Sequence, residues 1–146
     1  MATNRFEQLL RDREWILADG ATGTNYFSMG LQSGDAPELW NVEHPDRVAL
    51  LHQQFIDAGA DILLTNSFGG SAYRLKLHQA EHRVGELNAA AAVIARSCAD
   101  ASDRNVVIAG SMGPTGELLE PVGTLSVQAA ESAFAEQARA LAEGGA

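Results

Sequence analysis

Three observations predict an α/β fold built on parallel strands. Short apolar runs within Trp15–Ala18, Asp61–Asn66 and Asn105–Gly110 alternate with longer segments of helical period. The runs start about every 45 residues, which leaves room for a helix after each. Each run gives way to small or polar residues: Asp19-Gly20, Thr65-Asn66 and Gly110-Ser111. Continuous apolar strands alternating with helices are the pattern of a sheet covered by crossover helices, whose strands run parallel.

Taken in order, Phe6 to Arg13 is a short lead-in helix, and Trp15–Ala18 is a strand that enters the glycine-rich turn Asp19–Gly23. From about Asn25 to His44, Gly30, Gly34 and Pro37 argue for irregular backbone. Pro45 suits a first helical position, where its missing N–H costs nothing. Val48, Leu51, Phe55 and Ala58 then recur at helical spacing, and Gly59 closes the helix. Asp61–Asn66 is the second strand, with Ser67–Gly70 as its exit turn. A helical region follows in two pieces, about Ala72–His78 and His82–Ala101, the second rich in alanine. Asn105–Gly110 is the third strand, and Ser111–Gly116 its glycine-rich exit. Ser126 caps a last helix, Val127–Glu143, with Val127, Ala130, Phe134, Ala138 and Leu141 on one face. The ending Glu143-Gly144-Gly145-Ala146 parallels Asp57-Ala58-Gly59-Ala60, which leads into the second strand, so a fourth strand is expected directly after it.

Composition narrows the function. The 146 residues carry 10 basic and 19 acidic side chains, a formal charge of −9, and one cysteine. The basic residues are nine Arg and Lys76, scattered along the chain, which speaks against nucleic acid and against polybasic membrane attachment. One cysteine excludes an internal disulfide framework and a self-contained Cys-rich zinc site. Met1–Glu7 lacks the long apolar stretch of a secretory signal, and no run approaches the ~18 apolar residues of a membrane span. A cytoplasmic location is the expectation.

In a parallel sheet the polar strand ends share one edge. A pocket there would hold one carboxylate, several hydroxyls and amides, and accessible glycine N–H groups, a set suited to a small zwitterion. Asp19 is its sharpest residue, since a carboxylate at the end of an apolar strand is costly without a partner. Its own turn could supply that partner as an Asx-type structure. Gly20-x-x-Gly23 and Gly110-x-x-Gly113-x-x-Gly116 follow strands, but neither has the spacing of a dinucleotide or P-loop motif. Cys98 suits a small buried apolar position, His78 and His82 a solvated helix end or break, Trp15 and Trp40 packing, and Glu117 and Glu120 a solvated loop.

Four motifs carry a resemblance. Leu17–Thr24, Ala36–Asn41, Ala58–Phe68 and Ala109–Gly116, in this order, resemble the homocysteine S-methyltransferase family, and betaine–homocysteine methyltransferase-like members most of all. The resemblance implies a (β/α)8 TIM-type barrel, of which residues 1–146 would be the first three βα units, ending before the fourth strand. It implies substrate contacts from Asp19, Gly20, Ala21, Thr22, Thr65, Asn66, Ser111 and Gly113 to the amino-acid end of homocysteine. It also implies zinc held by three cysteine thiolates, which would turn the homocysteine thiol into a nucleophile toward a small methyl donor. Those cysteines belong to later strands and would lie beyond Ala146, as would a Glu that helps hold the substrate ammonium; Cys98 matches neither cysteine motif. The chain alone is therefore expected to be catalytically incomplete and to bind no zinc at that site. The donor stays open among betaine, methylcobalamin or folate systems and sulfonium compounds. Two other readings of the residues stay open: a half-barrel assembly module that self-associates through exposed edges, and a small nucleotide-binding α/β domain.

Overall fold

The computed structural model describes residues 4–146, so Met1 to Thr3 at the head of the Met1–Glu7 segment lie outside the described residues. Helix α1 (Arg5–Asp12) is started by Asn4, whose side chain accepts the Phe6 N–H at 3.0 Å. The 13-residue helix α4 (Pro45–Asp57) begins at the proline and gives way to Gly59, whose φ of 105° suits glycine. Beyond it, β1 (Ile62–Leu64) pairs in parallel with β2 (Val107–Ala109), Leu63 facing Ile108 in register. Between the strands, α5 (Ala72–Leu75) and a 3-10 turn at Lys76–His78 stop at Gln79, which is left-handed. A second 3-10 turn, Glu81–Arg83, then feeds α6 (Val84–Asp100). The expected break between two helical pieces is thus present, and His78 and His82 sit exposed on either side of it, on separate turns. The last helix, α7 (Val127–Glu143), is capped by Ser126, whose side chain accepts the Ala129 N–H at 3.1 Å.

Three expectations need correction. Trp15–Ala18 does not form a regular strand; it meets β1 through one parallel bridge, Ala18 to Ile62. Its Leu17 N–H goes to the Asp61 carboxylate at 3.0 Å, and Trp15, expected to pack, is 68% exposed. The stretch from Asn25 to His44 is not irregular throughout. It holds most of α2 (Gly23–Ser28), a 3-10 turn at Pro37–Leu39 and α3 (Trp40–Glu43). Tyr26 and Trp40 organise it, edge to face at 5.5 Å between centroids, with the Arg47 guanidinium 5.0 Å from the Trp40 ring centre. The buried face of α7 is also rotated from the expected one: Ala133, Gln137, Ala140 and Leu141 are buried, while Val127 is exposed. This face packs against α6, and the buried Gln137 amide donates to Asn88 Oδ1 of that helix at 3.1 Å.

Helices cover one face of the sheet. Leu63 and Ile108 point into a core with Ile56, Ala60, Ala95, Ala99 and Val106, and Phe55 and Cys98 pack on its margin. On the strands' other face Leu64 is 40% exposed. No helix among the described residues is long and apolar enough to cross a membrane.

At the start of β1, Asp61 is 1% exposed and holds four segments together. Its Oδ1 accepts from Arg13 and Arg104, each at 2.8 Å, and its Oδ2 accepts the Leu17 N–H. Arg104 also donates to the carbonyls of Ile56, Gly59 and Ala60 at the end of α4. Removing one side of a buried ion pair is costly because its hydrogen-bonding partners lose their complement. Asp61→Asn should therefore lower unfolding stability by roughly 3 kcal/mol, read from urea denaturation. His52, on α4, is fully buried with both ring nitrogens unpartnered, and burial pushes its pKa down to about 4 from 6.5. The unfolded chain then takes up a proton before the folded one. The stability of the neutral ring is whole above pH 6.5 and is lost as pH falls from there to about 4. Across that window wild type should lose about 3 kcal/mol relative to His52→Leu, measured by denaturant titration at each pH.

Candidate functional site

The carboxyl ends of β1 and β2 and the turn after Ala18 enclose a cavity of about 390 Å³. Its walls include Asp19, Gly20, Ala21, Thr22, Thr65, Asn66 and Ser111, seven of the eight residues singled out from the sequence. Gly113 is not on the wall. Its N–H donates to the Phe68 carbonyl at 2.8 Å and so braces a residue that is.

Asp19 is placed by backbone pairing, its N–H donating to the Ile62 carbonyl at 2.9 Å. Its Oδ2 accepts the Leu64 N–H at 2.9 Å, whereas Oδ1 is buried with no partner in the protein. Burial raises the Asp19 carboxyl above its ordinary pKa, and hydrogen bonds from Leu64 and its own N–H offset part of the rise. An orphaned carboxylate oxygen on a cavity wall is an acceptor waiting for a donor, and it binds a cationic donor most strongly.

Thr65 and Asn66 have less to offer a ligand than the sequence suggests, because both are engaged in the fold. The Thr65 hydroxyl bonds that of Ser67 and accepts the Ser111 N–H at 2.9 Å, and Ser67 Oγ donates to the Ser111 carbonyl at 2.8 Å. The exits of β1 and β2 are thereby stitched together. The Asn66 amide nitrogen donates to the Pro37 carbonyl at 2.7 Å and to Asn41 Oδ1 at 3.0 Å, tying the 3-10 turn to the strand end. Behind the wall, Asn88 donates to the Gly70 carbonyl at 2.8 Å and Gln137 to the Ser67 carbonyl at 2.7 Å.

The sequence reading missed Glu38, Ser67 and Phe68 on the wall. Ser67 and Phe68 directly follow Asn66, so the loop position itself was their signal. Glu38 had only its place after Pro37. A second chamber of about 320 Å³, with Asp35, Arg74 and His78 on its wall, shares Thr22, Pro37, Glu38 and Phe68 with the first.

The residues present do not fit a zinc site. Among the described residues no three His, Cys, Asp or Glu side chains gather around one point. Cys98 sits on α6 with its thiol donating to the Ala49 carbonyl at 3.7 Å, and burial pushes that thiol's pKa up, away from the thiolate a metal would need.

Parallel strands joined by helices, with a polar pocket at the strands' carboxyl ends, define an α/β protein of the kind that binds small molecules at that edge. The chain belongs to the homocysteine S-methyltransferase family, whose sequence profile matches residues 16–146. Methionine synthases of Mycobacterium leprae and Mycobacterium tuberculosis are each 31% identical to it across a match 140 residues long that covers 90% of this chain and 12% of theirs. Among solved structures, the oxidized form of the homocysteine methyltransferase MmuM from Escherichia coli matches 99% of this chain with a TM-score of 0.82 and 25% identity. Its metallated form matches with a TM-score of 0.80 at 24% identity, a likeness of fold. The chain spans 55% of either MmuM structure.

Gly113 offers a direct test of the loop contact. A Cβ there would lie 2.6 Å from the Phe68 carbonyl oxygen, closer than real contacts allow. Gly113→Ala should cost about 1–3 kcal/mol, as overpacking does, read from thermal denaturation, and should shift the Phe68 ring resonances.

Proposed function

We propose that this chain is the N-terminal portion of a zinc-dependent methyltransferase barrel that moves a methyl group onto the thiol of homocysteine to give methionine. On this reading residues 1–146 supply part of the cradle for the amino-acid end of homocysteine. The metal ligands and the remaining strands come from outside these residues, and a cytoplasmic location goes with the activity. Family membership supports the substrate, and the 55% span of the MmuM structures supports a partial barrel.

The observation that carries the cradle is the unpartnered Oδ1 of Asp19. An α-ammonium would give this oxygen a charge-assisted hydrogen bond, while Oδ2 stays fixed by Leu64. Gly20 and the Ala21–Thr22 turn bring backbone close to the ligand's other end. Because the Asp19 pKa is raised, its anionic form is lost at a higher pH than for an ordinary aspartate. Homocysteine affinity should therefore begin to fall, on acidification, before the ordinary carboxylate range is reached.

Calorimetry with homocysteine tests the cradle, and an assay with homocysteine, zinc salt and methyl donors tests completeness. The expected result is binding without methionine formation. Turnover by the chain alone would overturn the partial-site reading, and absence of binding would overturn the cradle. Asp19→Asn should weaken homocysteine roughly tenfold or more. The same substitution should stabilise the ligand-free protein at neutral pH, since it removes a desolvated charge whose raised pKa marks it as unfavourable there.

A further inference from the structure

Glu38 is the buried acid that the cradle does not explain. It lies in the 3-10 turn Pro37–Leu39, is 5% exposed, and pairs with no Lys, Arg or His among the described residues. A buried carboxylate without a cation is expensive unless strong hydrogen bonds compensate it. The compensation here is one short bond: Oε1 accepts the Gly69 N–H at 2.6 Å. Gly69 permits the approach, because a Cβ on it would sit 2.9 Å from that oxygen.

The loop that Gly69 belongs to is held at other points by the Ser67 hydroxyl, which bonds Thr65 and Ser111, by the Ser67 and Gly70 N–H groups, and by carbonyls. Gln137 takes the Ser67 carbonyl, Asn88 that of Gly70, and Gly113 that of Phe68. The Gly69 N–H faces the other way, toward the turn that bounds both chambers. Phe68 is 62% exposed, so its own packing does little to fix it and its place depends on the backbone on either side.

We propose that Glu38 is a positioning residue: its carboxylate anchors the Gly69 N–H and thereby sets where Phe68 stands on the pocket wall. The effect on ligand rests on the reading of that pocket as a homocysteine cradle; the anchoring itself does not. Reach, more than charge, is what the anchor requires. Glu38→Gln keeps an oxygen at the same distance without the charge, whereas Glu38→Asp keeps the charge and withdraws it by one methylene. Glu38→Ala removes both.

Amide hydrogen exchange followed by NMR reads Gly69 directly, with α6 amides as the control for global stability, and calorimetry reads homocysteine on the same samples. Glu38→Ala and Glu38→Asp should speed Gly69 exchange roughly tenfold or more with α6 unchanged, and should weaken homocysteine by a similar factor. Glu38→Gln should keep Gly69 exchange within about threefold of wild type, while its homocysteine affinity also registers the lost charge on the pocket wall. Should the alanine variant fail to fold, the Asp and Gln pair decides alone. Wild-type exchange at Gly69 in the Asp variant, or Gly69 exchange as fast in the Gln variant as in the Asp variant, would overturn the anchor. A wild-type chain that binds no homocysteine would refute the cradle instead, leaving the exchange rates to judge Glu38.

Discussion

The fold depends on one buried carboxylate. β1 is three residues long, too short for ladder hydrogen bonds alone to hold its place, and Asp61 at its head does so by side-chain contact. Through Arg13 and Leu17 it fixes the entering chain, and through Arg104 it fixes the joint between α6 and β2. Arg104 spends its other donors on the carbonyls that end α4, groups a helix always leaves unsatisfied. One anion thus sets the positions of α4, β1, β2 and the segment leading to Asp19. The pocket lies at the opposite end of the same strand, so its geometry is inherited from this clamp.

At the pocket end the corresponding work is done by amides. Asn41 donates to the Asn66 and Leu87 carbonyls, Asn88 to Gly70 and Val84, and Gln137 to Ser67 and Asn88. These side chains are buried, and three of the bonds, to the carbonyls of Asn66, Ser67 and Gly70, join a helix to the β1 exit loop. The rigidity of the β1 exit loop follows from them, and so does the limited freedom of Asn66 to bind anything else. Amides are suited to this task because each offers donors and an acceptor without the desolvation cost of a charge.

How much of this could be read from the sequence depended on range. Helices α4, α6 and α7 were legible because caps, a proline and helical spacing are local signals. The face of α7 was not, since alanine contributes little to an apolar pattern even where it is buried; Ala133 and Ala140 are buried and Val127 is not. Trp15–Ala18 had strand composition, but its pairing was decided by Asp61, 44 residues from Leu17. Asp19 stood out because a carboxylate ending an apolar run is locally anomalous. Glu38 did not, because an acid after a proline looks like any solvated turn; its burial comes from Gly69, 31 residues away. Local chemistry reached the pocket, and long-range chemistry built its walls.

Those walls also determine what the pocket selects. The overall charge of −9 is spread over the chain and says little about any one ligand. The pocket's own charge is more telling. Asp19 and Glu38 both face it without a cationic partner, and the buried Tyr26 hydroxyl behind them is unpartnered as well. The Tyr26 pKa is raised chiefly by burial, then by the charges of Asp19 and Glu38, so both carboxylates act on the same interior region. A field of this sign favours a ligand that brings a positive group. An amino acid can do so with its ammonium while its carboxylate turns to the backbone N–H groups of the glycine turns. A purely anionic ligand would meet the same field as repulsion, and for this pocket that is a stronger argument against phosphate than the absence of a phosphate-binding motif.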